Sequence, residues 1–263
     1  MADVRICAVG DNLLHDLVLD ACAVPGGYSF DNIYAPVAPL LRGAALAAVT
    51  QVTVFVPDAA EYSGFPLFGT PPAAGDALVT AGFSAIAGAT NHMLDKGPGA
   101  LRYTIDYWRE NHPDTLLLGV HTTREEAGGP TIAELGGTRV ALFNYTSMLN
   151  FHLRPPSAHY LIDLLKPRYR DRIRRNLQIA RKDNDFVIVF VRWGSEYHYV
   201  PNDVQRGWAA LFAECGVDVV IGQGTHVLQP LEVQKRPDGG EMTVFYSLGN
   251  FFSGQRELPR LLG

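Results

Sequence analysis

A chain of 263 residues with 47% apolar content is long enough and greasy enough to bury a full core, which excludes a disordered segment. A net charge of −5, from 22 Lys and Arg against 27 Asp and Glu, offers no bulk basic field for nucleic acid or an anionic membrane, so the expected partner is a small molecule. Cys7, Cys22 and Cys215 are widely spaced without any CxxC, so neither a disulfide framework nor a thiolate metal site is expected.

Residues Met1 to Arg5 carry no basic leader followed by an apolar run, and the apolar stretch over 37–56 is interrupted by Arg42, Thr50, Gln51 and Thr53. A cytoplasmic protein is therefore expected, with homo-oligomerisation left open. The first β-rich run is VRICAVG (4–10), followed by VTQVTVFV (49–56), a helical pattern from Pro72 to Gly82, FSAIAGA (83–89), and a second helical pattern from Gly99 to Asn111. TLLLGV (115–120) and RVALFNY (139–145) read as strands, Tyr160 to Lys182 as a helix, FVIVFV (186–191) as a strand, Asn202 to Gly216 as a helix and VDVVIG (217–222) as a strand. Glycine pairs at 136–137 and 239–240 suit hairpin turns, and the pair at 128–129 marks another turn. Alternating strands and amphipathic helices predict an α/β fold with helices on both faces of the sheet. No linker or repeat divides the chain, so one domain over 1–263 is expected.

KPRYRDRIRR (166–175) is the one strongly basic run, with Ile173, Leu177 and Ala180 on its apolar face. It reads as a solvated helix face rather than a nucleic-acid surface, which would come with wider positive charge.

In open α/β sheets ligands bind beyond the carboxyl ends of the strands, and those positions here are polar. GDNLLH (10–15) supplies Asp11 and His15, and ATNHMLDKG (89–97) supplies Asn91, His92 and Asp95. RWGSEY (192–197) supplies Arg192, Glu196 and Tyr197, and QGTHVLQP (223–230) supplies His226 and Gln229. Taken singly, an aspartate after a strand is commonly a helix cap and a histidine commonly a packing residue. Carboxylate, amide and imidazole at four separate strand ends are instead what a divalent metal centre or an acid/base site requires. GQGTHV lacks the third glycine of a dinucleotide fingerprint, and neither a P-loop nor a GxSxG elbow is present.

The ordered set GD, YSGFPLFGTP (62–71), ATNHMLDKG, RWGSEYHYVP, GQGTHVLQP and YSLGNFFS (246–253) resembles the CapA, or poly-γ-glutamate and capsule synthesis, family of calcineurin-like metallophosphoesterases over nearly the whole chain. The resemblance implies a two-layered β core flanked by helices, with a site where two divalent ions share a bridging carboxylate and activate water. Asp11, Asn91, His92 and His226 match residues of that site, as do Glu196 and Tyr197 of the EY pair. The departures lie elsewhere: NQET in the family is TQVT here, with Val52 in place of the acidic residue, HWG has become Arg192-Trp-Gly, and H-x-H has lost its first histidine to Gly224. A histidine usually found just before the NH pair is Gly88.

A guanidinium cannot donate a lone pair to a metal, and valine removes the charge that lets two cations sit together. The expectation is therefore a site without a dimetal centre and without a cofactor. If a single divalent ion is retained, Asp11 and His226 hold it, with His15 as a further candidate. His92, His226, Asp11 and Glu196 are the candidate catalytic residues, Asp11 or Glu196 orienting an imidazole. Arg192, Asn91, Tyr197, His15 and Tyr62 are the candidate substrate contacts, Tyr62 lying on a Gly-, Pro- and aromatic-rich loop over 57–71. Three functions follow: metal-independent hydrolysis, cyclisation or elimination on a small carboxylated, amide-containing or phosphorylated metabolite; metal-dependent hydrolysis or amide formation with a reduced site; or a non-catalytic binding role.

Overall fold

The computed structural model describes residues 3–150 and 160–255. Its first half runs β1 (Ile6–Leu13), α1 (Asp16–Cys22), the small hairpin β2 (Ala23–Val24) and β3 (Gly27–Tyr28), α2 (Asp31–Tyr34), α3 (Ala38–Leu41), β4 (Leu46–Gln51), α4 (Ala73–Ala81), β5 (Ala85–Ala87), α5 (Gly97–Asn111) and β6 (Leu116–Leu118). The second half runs β7 (Thr131–Leu135), β8 (Thr138–Thr146), α6 (Arg170–Asp183), β9 (Phe186–Arg192), α7 (Asp203–Glu214), β10 (Val219–Gln223), β11 (Leu228–Lys235), β12 (Glu241–Leu248) and β13 (Asn250–Ser253).

Two sheets form. One is wholly parallel, in the order β13-β1-β4-β5-β6; the other, β11-β12-β10-β9-β8-β7, is parallel at its centre and closed at each edge by an antiparallel hairpin. Those hairpins turn at Gly136-Gly137 and near Gly239-Gly240, as the glycine pairs predict. Leu46, Ala48, Ala85 and Ala87 of the first sheet pack on Val140, Leu142, Ile188, Phe190 and Ile221 of the second. Outside them, α6 and α7 cover the second sheet while α1 to α4 and Trp108 of α5 cover the first, which gives helix, sheet, sheet and helix layers. The two-layered β core flanked by helices is the expected one.

Alternation along β9 shows how this core positions the site. Val187, Val189 and Val191 face the helices and Ile188 and Phe190 face the opposing sheet, so Arg192 inherits the inward side. The same inward side carries Gln223 of β10 beyond Ile221, and Thr50 of β4 beyond Leu46 and Ala48. Asp11 reaches that side by a different route. Ala8 pairs with Ala48 but Asp11 pairs with Thr50, so β1 holds one extra residue, and this bulge reverses the alternation and turns Asp11 inward. Gly10 is required at the bulge, because a Cβ there would lie 2.0 Å from the carbonyl oxygen of Gly249.

Several boundaries differ from expectation. The helix predicted from Tyr160 begins only at Arg170: residues 162 and 164 form bridges to Val120 and Thr146, and Pro167 opens a 3₁₀ turn before the helix. The run over 49–56 is β4 only to Gln51, after which Thr53 and Phe55 make isolated bridges to His92 and Thr70. Strands β2, β3 and β13 and helices α1 to α3 have no counterpart among the sequence runs, and β7, β11 and β12 are signalled only by the glycine turns at 136–137 and 239–240. Four arginines of the basic run are engaged within the fold: Arg168 and Arg172 stack over Tyr169, Arg170 over Trp208, and Arg174 pairs with Glu214 at 2.9 Å.

Candidate functional site

At the carboxyl ends of the central strands, Arg192 Nη1 donates to Asp11 Oδ2 at 2.6 Å, with the side chains 4% and 0% exposed. A fixed cation thus bridges the two sheets. Beside it, Thr50 donates to Gln223 Oε1, and Gln223 Nε2 donates to the Val9 carbonyl at 3.2 Å, tying β4 and β1 to β10. The second oxygen of Asp11, Oδ1, is buried and has no partner among the described residues.

His226 lies 3.8 Å from Asp11 Oδ2 through Nδ1, but its hydrogen bond goes elsewhere. Nδ1 donates to Asn250 Oδ1 at 2.8 Å, Asn250 Nδ2 donates to Gln255 at 2.7 Å, and Gln255 Nε2 donates to the Tyr197 hydroxyl at 3.2 Å. The Tyr197 ring returns to lie 5.7 Å from that of His226, closing a loop of contacts around the imidazole. Both Tyr197 and His226 have left-handed backbones, with φ of 62° and 63°. Non-glycine residues hold that conformation only where their surroundings enforce it. His226 Nε2 is left facing Glu196 Oε1 at 3.8 Å. The neighbouring His226 holds the Glu196 carboxyl below the usual range against the opposing effect of burial, and the charge of Arg192 acts the same way.

His92 belongs to a second arrangement. Its Nδ1 donates to Asp95 Oδ2 at 2.6 Å, the same oxygen accepts from the Phe68 amide at 2.9 Å, and the Phe68 ring meets His92 edge-on at 4.7 Å. Because an ionised carboxylate is acceptor-only, the proton sits on Nδ1 and Nε2 presents a lone pair, which Asn150 Nδ2 approaches to 3.1 Å. The expected orienting groups were Asp11 or Glu196; Asp95 and Asn250 take that part, since each lies against an Nδ1 while Asp11 is committed to Arg192.

The remaining predicted residues fall as follows. Asn91 is buried beside His92, its Oδ1 without a partner among the described residues. His15 stands at the N-cap position of α1 without a side-chain capping bond, with Nδ1 3.1 Å from the Leu13 carbonyl and 3.2 Å from the Gly254 amide, and its ring lies edge-on to Phe68 at 5.2 Å. Burial lowers its pKa, reinforced by the nearby His226 and His92. Tyr62 does not join the cluster: it packs edge-on against Tyr28 at 5.4 Å, and the residue of its loop that reaches the imidazoles is Phe68. Gln229 accepts from Gln205 Nε2 at 2.7 Å and so supports α7.

Val52 is fully buried, in contact with Leu13 and Phe68, and behind it Asn12, Gln51, Thr53 and Thr70 form a closed buried hydrogen-bond network. Gly224 has φ +101°, and a Cβ there would lie 2.8 Å from Arg192 Cγ and 3.1 Å from the Trp193 carbonyl oxygen. Arg192 in this position and a side chain at 224 therefore exclude each other. Among the described residues no group of three or more His, Cys, Asp or Glu is arranged to hold a metal ion. No helix among the described residues is long and apolar enough to cross a membrane.

With this geometry in place, comparison with known proteins gives a family match, to bacterial capsule synthesis protein PGA_cap over residues 5–255. The chain belongs to this family. It is similar to the PGA biosynthesis protein CapA of Bacillus subtilis (strain 168), 29% identical over 181 residues that cover 66% of this chain and 43% of the relative. It is likewise similar to the capsule biosynthesis protein CapA of Bacillus anthracis, 28% identical over 184 residues, 68% of this chain and 42% of the relative. The PGA_cap chain described here thus matches less than half the length of these curated relatives. Among solved structures, a hypothetical protein from Thermus thermophilus aligns over 94% of this chain and 77% of its own at 16% identity, with a TM-score of 0.53. A putative 5′-nucleotidase from Staphylococcus aureus aligns over 93% of this chain and 48% of its own at 13% identity, with a TM-score of 0.51. At these identities the likeness is one of fold, which is metallophosphoesterase-like.

Proposed function

We propose that this CapA-like chain performs metal-independent acid/base chemistry, in the form of hydrolysis, cyclisation or elimination, on a small carboxylated, amide-containing or phosphorylated metabolite. The observation that carries the reading is the buried Arg192–Asp11 pair, which puts a permanent cation against the carboxylate that a two-ion centre would need. The residues present do not fit such a centre. Val52 supplies no bridging charge, Arg192 no lone pair and Gly224 no side chain.

The chain's own groups supply the rest. His92 Nε2, with its tautomer fixed by Asp95, takes a proton from substrate or water once Asn150 gives way, and Asp95 stabilises the imidazolium that forms. Proton transfer by one positioned imidazole is worth about 10²–10⁴ in rate. On the other side of the cavity, His226, backed by Glu196, protonates the leaving group. Phe68, buried with Leu13 and Val52, sets an apolar ring edge-on against His92.

A second reading, a single divalent ion on Asp11 and His226, is favoured by the orphaned Asp11 Oδ1, an oxygen of the kind such an ion takes. The test is metal content of the purified protein, with turnover on a panel of small carboxylated, amide and phosphorylated compounds before and after chelation. The expected result is sub-stoichiometric metal and chelator-insensitive turnover. Stoichiometric metal whose removal abolishes turnover overturns the first reading in favour of the second.

A further inference from the structure

We infer that Arg192 and the turn beside it form an oxyanion subsite that takes the carboxylate or phosphoryl end of the substrate, with Gly224 as the residue that makes room for it. This rests on the proposal that the cavity handles small acidic metabolites, and it names where the acidic group binds.

A cavity of about 220 Å³ opens beside the guanidinium, lined by Ser147, Arg192, Gly194, Ser195, Glu196 and Gly224 among others. Arg192 is 4% exposed, yet only Nη1 has an acceptor among the described residues, and that acceptor is Asp11. Its other N–H donors have none there, and Arg192 is one of the residues that line the cavity. A buried guanidinium with free donors in a fixed fork is the group that recognises a carboxylate or phosphate by two parallel hydrogen bonds. The wall adds further donors. The amides of Gly194, Ser195 and Glu196 donate to no acceptor among the described residues, and Ser195 Oγ accepts from Asn202 Nδ2 at 3.1 Å, which leaves its proton to donate. Glu196 is the one acidic group on this wall, and its carboxylate is directed to His226 at 3.8 Å.

Size narrows the ligand further. Pockets that enclose whole small molecules run to about 300–1,000 Å³, so this cavity takes an end group while the rest of the molecule extends toward the imidazoles. The cavity also depends on one residue. Any side chain at 224 would meet Arg192 Cγ and the Trp193 carbonyl, displacing the guanidinium and filling the space it faces.

The experiment titrates the full chain with inorganic phosphate and, separately, with acetate, by calorimetry and thermal shift against sodium chloride at matched ionic strength. Saturable binding of at least one anion is expected, and which one binds assigns the subsite to phosphoryl or carboxylate. Arg192→Lys, which keeps the charge but not the fork, and Gly224→Ala should each weaken that binding at least tenfold. The inference is overturned where neither anion exceeds the chloride control, or where affinity in Arg192→Lys stays within twofold of the parent. Should Gly224→Ala fail to fold, as judged by circular dichroism, Arg192→Lys alone decides. Anion binding in a protein whose turnover requires metal leaves the subsite standing and removes only the metal-independent reading; chelator-insensitive turnover without anion binding does the reverse.

Discussion

The His92 and Arg192 clusters hold their functional groups by opposite means. On the His92 side, a carboxylate, Asp95, fixes one imidazole nitrogen and a backbone amide steadies the carboxylate, so the other nitrogen keeps its lone pair, met only by the Asn150 amide. On the Arg192 side a carboxylate is consumed by a cation, and the space an imidazole would fill at 224 is empty of side chain. The first arrangement suits proton transfer and the second suits charge recognition. The lesson is that the same residue type, an aspartate at a strand end, becomes an orienting group or a counter-ion according to what the opposite sheet places against it.

The largest test of this contrast is Arg192→Met, which leaves Asp11 buried and unpaired and is expected to cost about 3–5 kcal/mol in urea unfolding. The double change with Asp11→Asn should recover a large part of that loss; absence of recovery would show that Arg192 acts through packing rather than through the pair. Next comes Val52→Glu, which inserts a carboxylate among Leu13 and Phe68 and should destabilise by about 3 kcal/mol without conferring zinc or manganese binding while Arg192 is present. Tight metal uptake by that single variant would erase the distinction between the two sides.

On the opposite side, Asp95→Asn keeps the shape but frees the His92 tautomer, so turnover should fall about 10–100-fold with little change in melting temperature. A fall in stability with unchanged turnover would make Asp95 a structural support of the Phe68 loop instead. The smallest effect concerns Glu196. Its carboxyl is held below its ordinary value by His226, so the native state favours its ionised form. The stability it contributes is complete above the unfolded carboxyl range, near pH 4.5, and is lost as pH falls through the lower native value. In a carboxyl-detected NMR titration Glu196 should therefore titrate below the ordinary glutamate range, and His226→Ala should bring it back toward that range.

Much of the fold is legible in the sequence, for reasons that particular residues make clear. The Val- and Ile-rich runs of β9 and β10 and the amphipathic pattern of α7 state their own burial, and motif order points to the family. Asp11, Arg192, His226 and Glu196 come near one another because each stands at or just beyond the carboxyl end of a central strand. What sequence could not show was pairing. Nothing in GDNLLH announces a bulge, and no local rule says that Asp95 rather than Asp11 would meet an imidazole, since that depends on which sheet face each strand presents. Asn250 sits within YSLGNF in plain view, but its amide gains a role only because β13 lies parallel beside β1. The glycine turns announce the edge hairpins but not the extent of their strands: β11, with exposed Leu231 and Val233 alternating with Glu232, reads as polar and irregular until a neighbour is known.

The close approach at 192 and 224 also couples the two positions. Gly224 holds φ of +101°, and a Cβ there would sit 2.8 Å from Arg192 Cγ, so a change at either residue is felt at the other and neither can be varied as an independent site.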